Sequence, residues 1–309
     1  MSEAFCYWNG RLMPARELQV APWDLGFVQG VTVAEQLRTF CGKLFRVEKH
    51  LDRLRDSLQT IGVEPQPALD ELGKIAADLA ARNHRLLDEG DDLGLSLFCT
   101  PGPYRAFIPQ GVDVSVPARP TVGMHTYPVA FGSFASKYRE GERLIISHTR
   151  QVPANCWPAS LKCRSRMHYY LADLEARRQD PQARALLLDQ GGMVSEASTA
   201  NFLIYRRDEG FVSPPLDQIL PGVSVDSLEG IARGLRIPFV YRNISVPEVL
   251  AADEAFLSST SPCLLPVVSV DGQTLGDGLP GPIFRRTIAA WSELVGCDIV
   301  GQAQRFAQR

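Results

Sequence analysis

Apolar and polar positions repeat with two periods along this chain. Residues 5–8 and 11–13 flank Asn9-Gly10, a pair suited to a two-residue turn, so a β-hairpin is predicted. Two further strand-like runs, VTVAEQLRTF and KLFRV, lie on either side of Cys41-Gly42 within residues 31–47. The period then changes. Val47, Leu51, Leu54, Leu58 and Ile61 recur at spacings of four and three, one apolar face of a helix. A second helix is expected over about 67–88, and a strand over 93–100, stopped by Pro101-Gly102-Pro103.

The stretch 101–135 is rich in Pro, Gly and Ser, and reads as one more strand followed by an interdomain linker. A boundary near residue 132 divides the chain into domains 1–132 and 133–309. In the second half, strands are expected at 143–149, 183–189, 200–207 and 254–260. The turn Gln190-Gly191-Gly192 joins the second and third of these. Helices are expected at about 164–178, after Pro221-Gly222, and at about 281–295. Helices and strands mix in both halves, so the fold class is α+β or mixed α/β.

Composition narrows the function. A length of 309 residues suits two domains. The net charge of −3, with no basic stripe, argues against a nucleic-acid partner. No run of about 18 apolar residues is present, so no membrane span is expected. The N-terminus lacks the basic head and apolar run of a secretory signal. Seven scattered cysteines without a CxxC pair favour reduced thiols in a cytoplasm over disulfides or a metal site.

Five short blocks then appear in one order. They are Asp24-Leu25-Gly26-Phe27 with Gly30 and Glu35; His50 to Leu54, containing Arg53; Ser160-Leu161-Lys162; Gly192 to Phe202, containing Glu196, Ser198, Thr199 and Asn201; and Ile219 to Ser224, followed by Phe256 to Thr260. Each alone is ordinary. A lone lysine is usually a solvated surface group, and a glutamate before Ser and Thr is usually a turn or cap. Together, from about residue 7 to about residue 295, the series resembles the class IV aminotransferases. That group includes branched-chain and D-amino acid aminotransferases, R-selective amine transaminases and aminodeoxychorismate lyases. The most specific part is E-x-S-T-x-N with an upstream lysine and a downstream L-P-G.

The resemblance implies a fold type IV architecture, with a smaller N-terminal α/β domain and a larger barrel-like C-terminal domain. It implies pyridoxal 5′-phosphate (PLP) as cofactor, held on Lys162 as a Schiff base, since lysine alone among side chains offers a primary amine. Glu196 matches the carboxylate that pairs with the protonated pyridine nitrogen. Arg53, the N–H groups of Val223 and Ser224, and the Thr260 hydroxyl match the phosphate ligands. His50 is read as a packing or positioning residue. A homodimer, with the active site between the domains, is also implied. The expected reaction moves an amino group from an amino acid or amine to a 2-oxo acid, with a branched-chain-aminotransferase-like protein as first expectation. The alternatives are lysis of aminodeoxychorismate to p-aminobenzoate and pyruvate and, more remotely, a binding protein without catalysis.

Three positions depart from the better-known members. Ser96 stands where an arginine is common. Ala34 replaces an aromatic before Glu35, which would reshape the substrate pocket. Ala197 follows Glu196 where glycine is usual, so a different local turn is expected. Arg166 or Arg164, close after Lys162, is the candidate to take over the missing arginine's hold on a substrate carboxylate.

Overall fold

The structure is a computed structural model that describes residues 3–113 and 119–308. It forms two compact units: Met1–Val129 with Leu161–Ser165, and Ala130–Ser160 with Arg166–Arg309. The sequence reading placed everything beyond residue 132 in one domain. The segment Leu161–Ser165 instead folds with the first unit, an association between distant parts of the chain that no local pattern signals.

The first unit is a six-stranded antiparallel sheet with two long helices. Its elements are β1 (Phe5–Trp8), β2 (Arg11–Pro14), α1 (Leu25–Val28), β3 (Val33–Phe40), β4 (Lys43–Leu44), α2 (Val47–Thr60), α3 (Leu69–His84), β5 (Leu93–Thr100) and β6 (Thr121–Pro128). The strand order is β2-β1-β6-β5-β3-β4. Asn9 and Gly10 take φ of 45° and 91° in the predicted hairpin turn, and Cys41 and Gly42 take 50° and 76° in the next. Within 101–135, residues 114–118 lie outside the described residues, and the expected strand is β6.

One face of this sheet packs on α2 and α3. Leu37, Leu95, Leu97 and Met124 meet Leu54, Leu58, Leu72 and Leu79 in one core. The buried face of α2 also carries His50, Arg53 and Ser57. The apolar spacing located this helix but gave no sign that polar residues share its inner face.

The second unit contains α4 (Lys137–Glu140), β7 (Glu142–Ile146), α5 (Met167–Gln179), β8 (Arg184–Leu188), β9 (Val194–Ala197), β10 (Ala200–Arg206), β11 (Gly210–Ser213), α6 (Val223–Gly234), β12 (Phe239–Tyr241), α7 (Val246–Leu250), β13 (Glu254–Ser259), β14 (Cys263–Val270), β15 (Gln273–Thr274), α8 (Pro282–Val295) and α9 (Ile299–Arg305). Strand pairing runs β10-β13-β14-β7-β8-β9, and β9 pairs back to β10. The sheet thus closes into a six-stranded barrel, with β11–β12 and β15 as extensions of it. Strand β10 permits closure by dividing its length. Ala200 and Asn201 pair with β9, while Ile204, Tyr205 and Arg206 pair with β11.

Several expected bounds shift. The turn at Gln190-Gly191-Gly192 leads into β9, a four-residue strand the pattern did not separate from its surroundings. The helix expected from about 164 starts at Met167, and α9 was not anticipated. Among the described residues no helix is long and apolar enough to cross a membrane, and no group of three or more His, Cys, Asp or Glu is placed to hold a metal.

Candidate active site

In the first unit, Lys162 lies on a segment stitched to the sheet. Ala34 N–H donates to the Lys162 carbonyl at 2.9 Å, and Arg164 N–H donates to the Thr32 carbonyl at 2.8 Å. Cys163 pairs with Val33 as a β-bridge. The Lys162 N–H also donates to the Ser57 hydroxyl at 3.3 Å, and the Ser165 hydroxyl donates to the Gly30 carbonyl at 2.8 Å. Leu161 packs into the core. These contacts hold the main chain of 161–165. They also explain the first sequence block. Gly30 has φ of 70°, and Gly26 sits where a Cβ would meet Thr32 and Thr100 side chains at 2.5 Å, so both glycines serve the packing around this segment.

Beneath this segment Glu35 on β3 meets two residues of α2. Arg53 Nε and Nη2 donate to its two carboxylate oxygens at 2.8 and 2.7 Å, and His50 Nδ1 lies 2.7 Å from Oε2. All three are buried. Burial pushes the Glu35 carboxyl up, but the Arg53 charge and the hydrogen bonds from Arg53 and His50 outweigh it and hold the group at about 2. Burial pushes His50 down, and the Arg53 and Lys162 charges push it further, against the pull of Glu35. His50 is therefore neutral near pH 7 and donates Nδ1–H to Glu35, a positioning role for the imidazole. Arg53, expected at the phosphate, is a buried guanidinium whose plane Glu35 fixes.

In the second unit Glu196 is buried on β9. Gln151 Nε2 and the Tyr169 hydroxyl donate to its Oε1 at 2.6 and 2.5 Å, and Asn201 Nδ2 lies 3.5 Å from Oε2. Gln151 also donates to the Tyr169 hydroxyl, at 2.9 Å. Burial, then the Glu196 charge, raise the Tyr169 phenol well above its ordinary value, so it stays protonated and remains a donor. Asn201 connects this cluster to α6, because its Nδ2 donates to the Leu220 carbonyl at 2.8 Å. Helix α6 begins at Val223 after the extended Gly222. The first-turn N–H groups of Val223 and Ser224 have no carbonyl of their own helix to bond, and the helix dipole favours an anion there. Asn201 is opposite Ser258 in the β10–β13 register, and Thr260 follows β13 by one residue.

Gly222 is needed at this junction, because a Cβ there would overlap Asn201 Oδ1. Gly222→Ala is expected to push Asn201 away from Leu220 and Glu196, at a cost of about 1–3 kcal/mol. PLP affinity should fall about tenfold, read by fluorescence titration, and the melting temperature should fall with it. An unchanged affinity would show that the α6 N-terminus does not hold the cofactor.

The turn after Glu196 also resolves an expectation. Ala197 is ordinary extended strand. The left-handed residue is Thr199, at φ 65°, in the turn between β9 and β10. The Arg184 guanidinium donates to the Ser198 carbonyl and, at 3.2 Å, to the Thr199 hydroxyl. Alanine after Glu196 is thus accommodated without strain, with the positive φ two residues later.

The other departures are also placed. Ala34 is buried, and its register partner Phe98 turns its ring over Gly123 toward Trp8, with ring centroids 5.9 Å apart. The guanidinium that meets Ser96 belongs to Arg164, with Nη2 to Oγ at 3.0 Å. Arg166 is the N-cap residue of α5, and its charge bears on Tyr169 and His168. Tyr170 is 65% exposed, whereas Tyr169 turns inward to Glu196. Sequence reasoning did not identify Gln151 or Tyr169 as partners of Glu196, or Glu35 as the partner of Arg53. Asn201 lay inside a recognised block, but Gln151 carried no signal.

The second unit thus holds a buried acceptor with its donors in place and a helix N-terminus suited to an anion, and the first unit holds a tethered lysine. The model of the family described as amino-transferase class IV matches residues 32–270, and the chain belongs to that family. A D-alanine aminotransferase of Bacillus licheniformis is 27% identical over 284 residues, covering 91% of this chain and 94% of that protein. The crystal structure of the Escherichia coli branched-chain amino acid aminotransferase superposes with a TM-score of 0.85 at 24% identity, over 95% of each chain. A T.th. branched-chain amino acid aminotransferase, complexed with N-(5′-phosphopyridoxyl)-L-glutamate, superposes with a TM-score of 0.81 at 23% identity, over 96% of this chain and 95% of that one. The protein is therefore a class IV aminotransferase, and its α+β fold is that of the branched-chain enzymes.

Proposed function

We propose that this enzyme moves an amino group from an amino acid to a 2-oxo acid, with Lys162 as the residue that carries the cofactor covalently. The observation supporting this reading most strongly is the stitching of residues 161–165, which immobilises the main chain around one primary amine. When bound, PLP supplies an electron sink for the pair left as the substrate Cα–H bond breaks. Lys162 would hold the cofactor covalently, and its Nζ, once released, would take up the Cα proton and return it to the carbon on the other side of the shared nitrogen. Glu196 supplies the negative charge that keeps a ring nitrogen protonated, and the Gln151 and Tyr169 donors fix its carboxylate. Val223 and Ser224 N–H groups and the Thr260 hydroxyl bind phosphate, and Arg53 keeps the phosphate role its place in the family pattern assigns.

The test is a visible absorption spectrum of the PLP-loaded protein, followed by L- and D-amino acids, simple amines and then 2-oxo acids. A band that bleaches with particular donors and returns with a 2-oxo acid is the expected result. Pyruvate released from aminodeoxychorismate, with no demand for a 2-oxo acid, would point to the lyase reaction instead.

We also read the chain as a cytoplasmic homodimer. Met167, Tyr170 and Leu171 on α5 are large apolar side chains that stay exposed in the single chain. Light scattering should give twice the chain mass, and Tyr170→Glu should shift the particle toward the monomer.

A further inference from the structure

Glu196 and Asn201 face each other across the β9–β10 hairpin, and the turn between the two strands is Ser198-Thr199. Any rotation of that turn moves the Glu196 carboxylate. Thr199 holds φ of 65°, a left-handed conformation that a β-branched residue keeps only under constraint. The constraint comes from two sides. From β8, Arg184 Nη2 donates to the Ser198 carbonyl and, at 3.2 Å, to the Thr199 hydroxyl. Its Nη1 lies 3.9 Å from a carboxylate oxygen of Glu142, which is buried. From α5, Asp173 Oδ1 accepts from the Ser198 hydroxyl at 2.7 Å and from the Ala185 N–H at 3.1 Å. The Ser198 N–H in turn donates to the Ala185 carbonyl at 3.2 Å. Asp173 therefore bridges the turn and the neighbouring strand.

Helix α5 reaches Glu196 twice. Tyr169 donates to its carboxylate directly, and Asp173, four residues on and on the same helix face, holds the turn behind it. The helix lies against β8 through Ala172 and Ala176, which pack with Ala183 and Ala185. Side chains this small bring Asp173 within hydrogen-bond reach of the strand. Ser198 is 2% exposed, so its hydroxyl has little water to turn to if Asp173 is removed. Resting on the reading of Glu196 as the partner of a ring nitrogen, we infer that Asp173 and Arg184 are positioning residues that set the Glu196 carboxylate against the cofactor ring by clamping the Ser198-Thr199 turn. Gln151 and Tyr169 orient the carboxylate group, and the clamp fixes the backbone from which it hangs. A carboxylate keeps a ring nitrogen protonated only while it lies close to that atom, because hydrogen-bond geometry and charge attraction both weaken with displacement.

The test compares wild type, Asp173→Ala, Asp173→Asn, Arg184→Met, Glu196→Gln and the double variant Asp173→Ala/Glu196→Gln. Four quantities are read: PLP Kd by fluorescence titration, the pH midpoint of the visible cofactor band, melting temperature, and kcat and KM for an amino acid that bleaches the wild-type band. Asp173→Ala should weaken PLP binding about tenfold. It should move the pH midpoint by about half a unit, in the same direction as Glu196→Gln. It should lower kcat by about 10–100-fold, with KM changed far less. Arg184→Met should act in the same sense. Asp173→Asn keeps an acceptor oxygen for Ser198 and Ala185, and should restore most of each loss. In the Glu196→Gln background, Asp173→Ala should move the midpoint no further. A lower melting temperature with Kd and midpoint unchanged would overturn the inference, as would full additivity with Glu196→Gln. Should Asp173→Ala fail to fold, Arg184→Met decides by the same criteria. A midpoint that Glu196→Gln itself leaves in place would defeat the reading of Glu196. A midpoint moved by Glu196→Gln but by neither clamp variant would defeat only the clamp.

Discussion

Lys162→Ala is expected to abolish covalent attachment of PLP and to lower turnover by at least about a thousandfold. The size follows from two losses at one atom: no other residue on the tethered segment offers a primary amine, and the proton carrier disappears with it. The fold should survive. The bonds that place residue 162 are made by its main chain, to Ala34 and to the Ser57 hydroxyl, and alanine keeps both. Melting temperature should stay within a few degrees of wild type. Borohydride reduction followed by peptide mass analysis should mark residue 162 in wild type and no lysine in the variant. A variant that still carries a reducible label, or retains more than a few per cent of the turnover, would remove Lys162 from its assigned role.

The second large effect concerns stability. Glu35→Ala leaves the Arg53 guanidinium buried without its carboxylate, and should cost about 3–5 kcal/mol. Urea unfolding of the first unit's core should show the loss. The pH dependence has a definite sign. The Glu35 carboxyl is held at about 2 against an ordinary value of 4.5. A depressed carboxyl stabilises the fold above pH 4.5, and that contribution, about 3 kcal/mol, disappears as pH falls from 4.5 to 2. Glu35→Gln should therefore unfold at a lower urea concentration near neutrality and lose less than wild type on acidification through that window. Equal losses for the two proteins would mean that Glu35 is not the residue that titrates.

These two residues differ in how visible they were. Lys162 was proposed from features of chain order: its block, its position before a helix and its distance from the E-x-S-T-x-N run. Glu35 was visible only as part of a motif. Its partners Arg53 and His50 sit on another element, α2, where the sequence singled them out without pointing to Glu35. The same holds for Glu196, whose donors Gln151 and Tyr169 come from 45 and 27 residues earlier. The bond from Arg164 to Ser96 spans 68 residues, and no local pattern records it.

By itself, the sequence determined the hairpin at Asn9-Gly10, helix α2, most strands, the mixed class and the family's blocks in order. Each rests on interactions between residues close in the chain: backbone preference, hydrophobic periodicity and turn chemistry. Tertiary structure alone decided the closing of the barrel through the divided strand β10, the return of Leu161–Ser165 to the first unit, and the partners of Glu35, Glu196 and Arg164. Those outcomes depend on which buried polar groups find one another across tens of residues. A buried carboxylate or guanidinium must be satisfied wherever the fold brings a partner, and spacing along the chain does not record where that is.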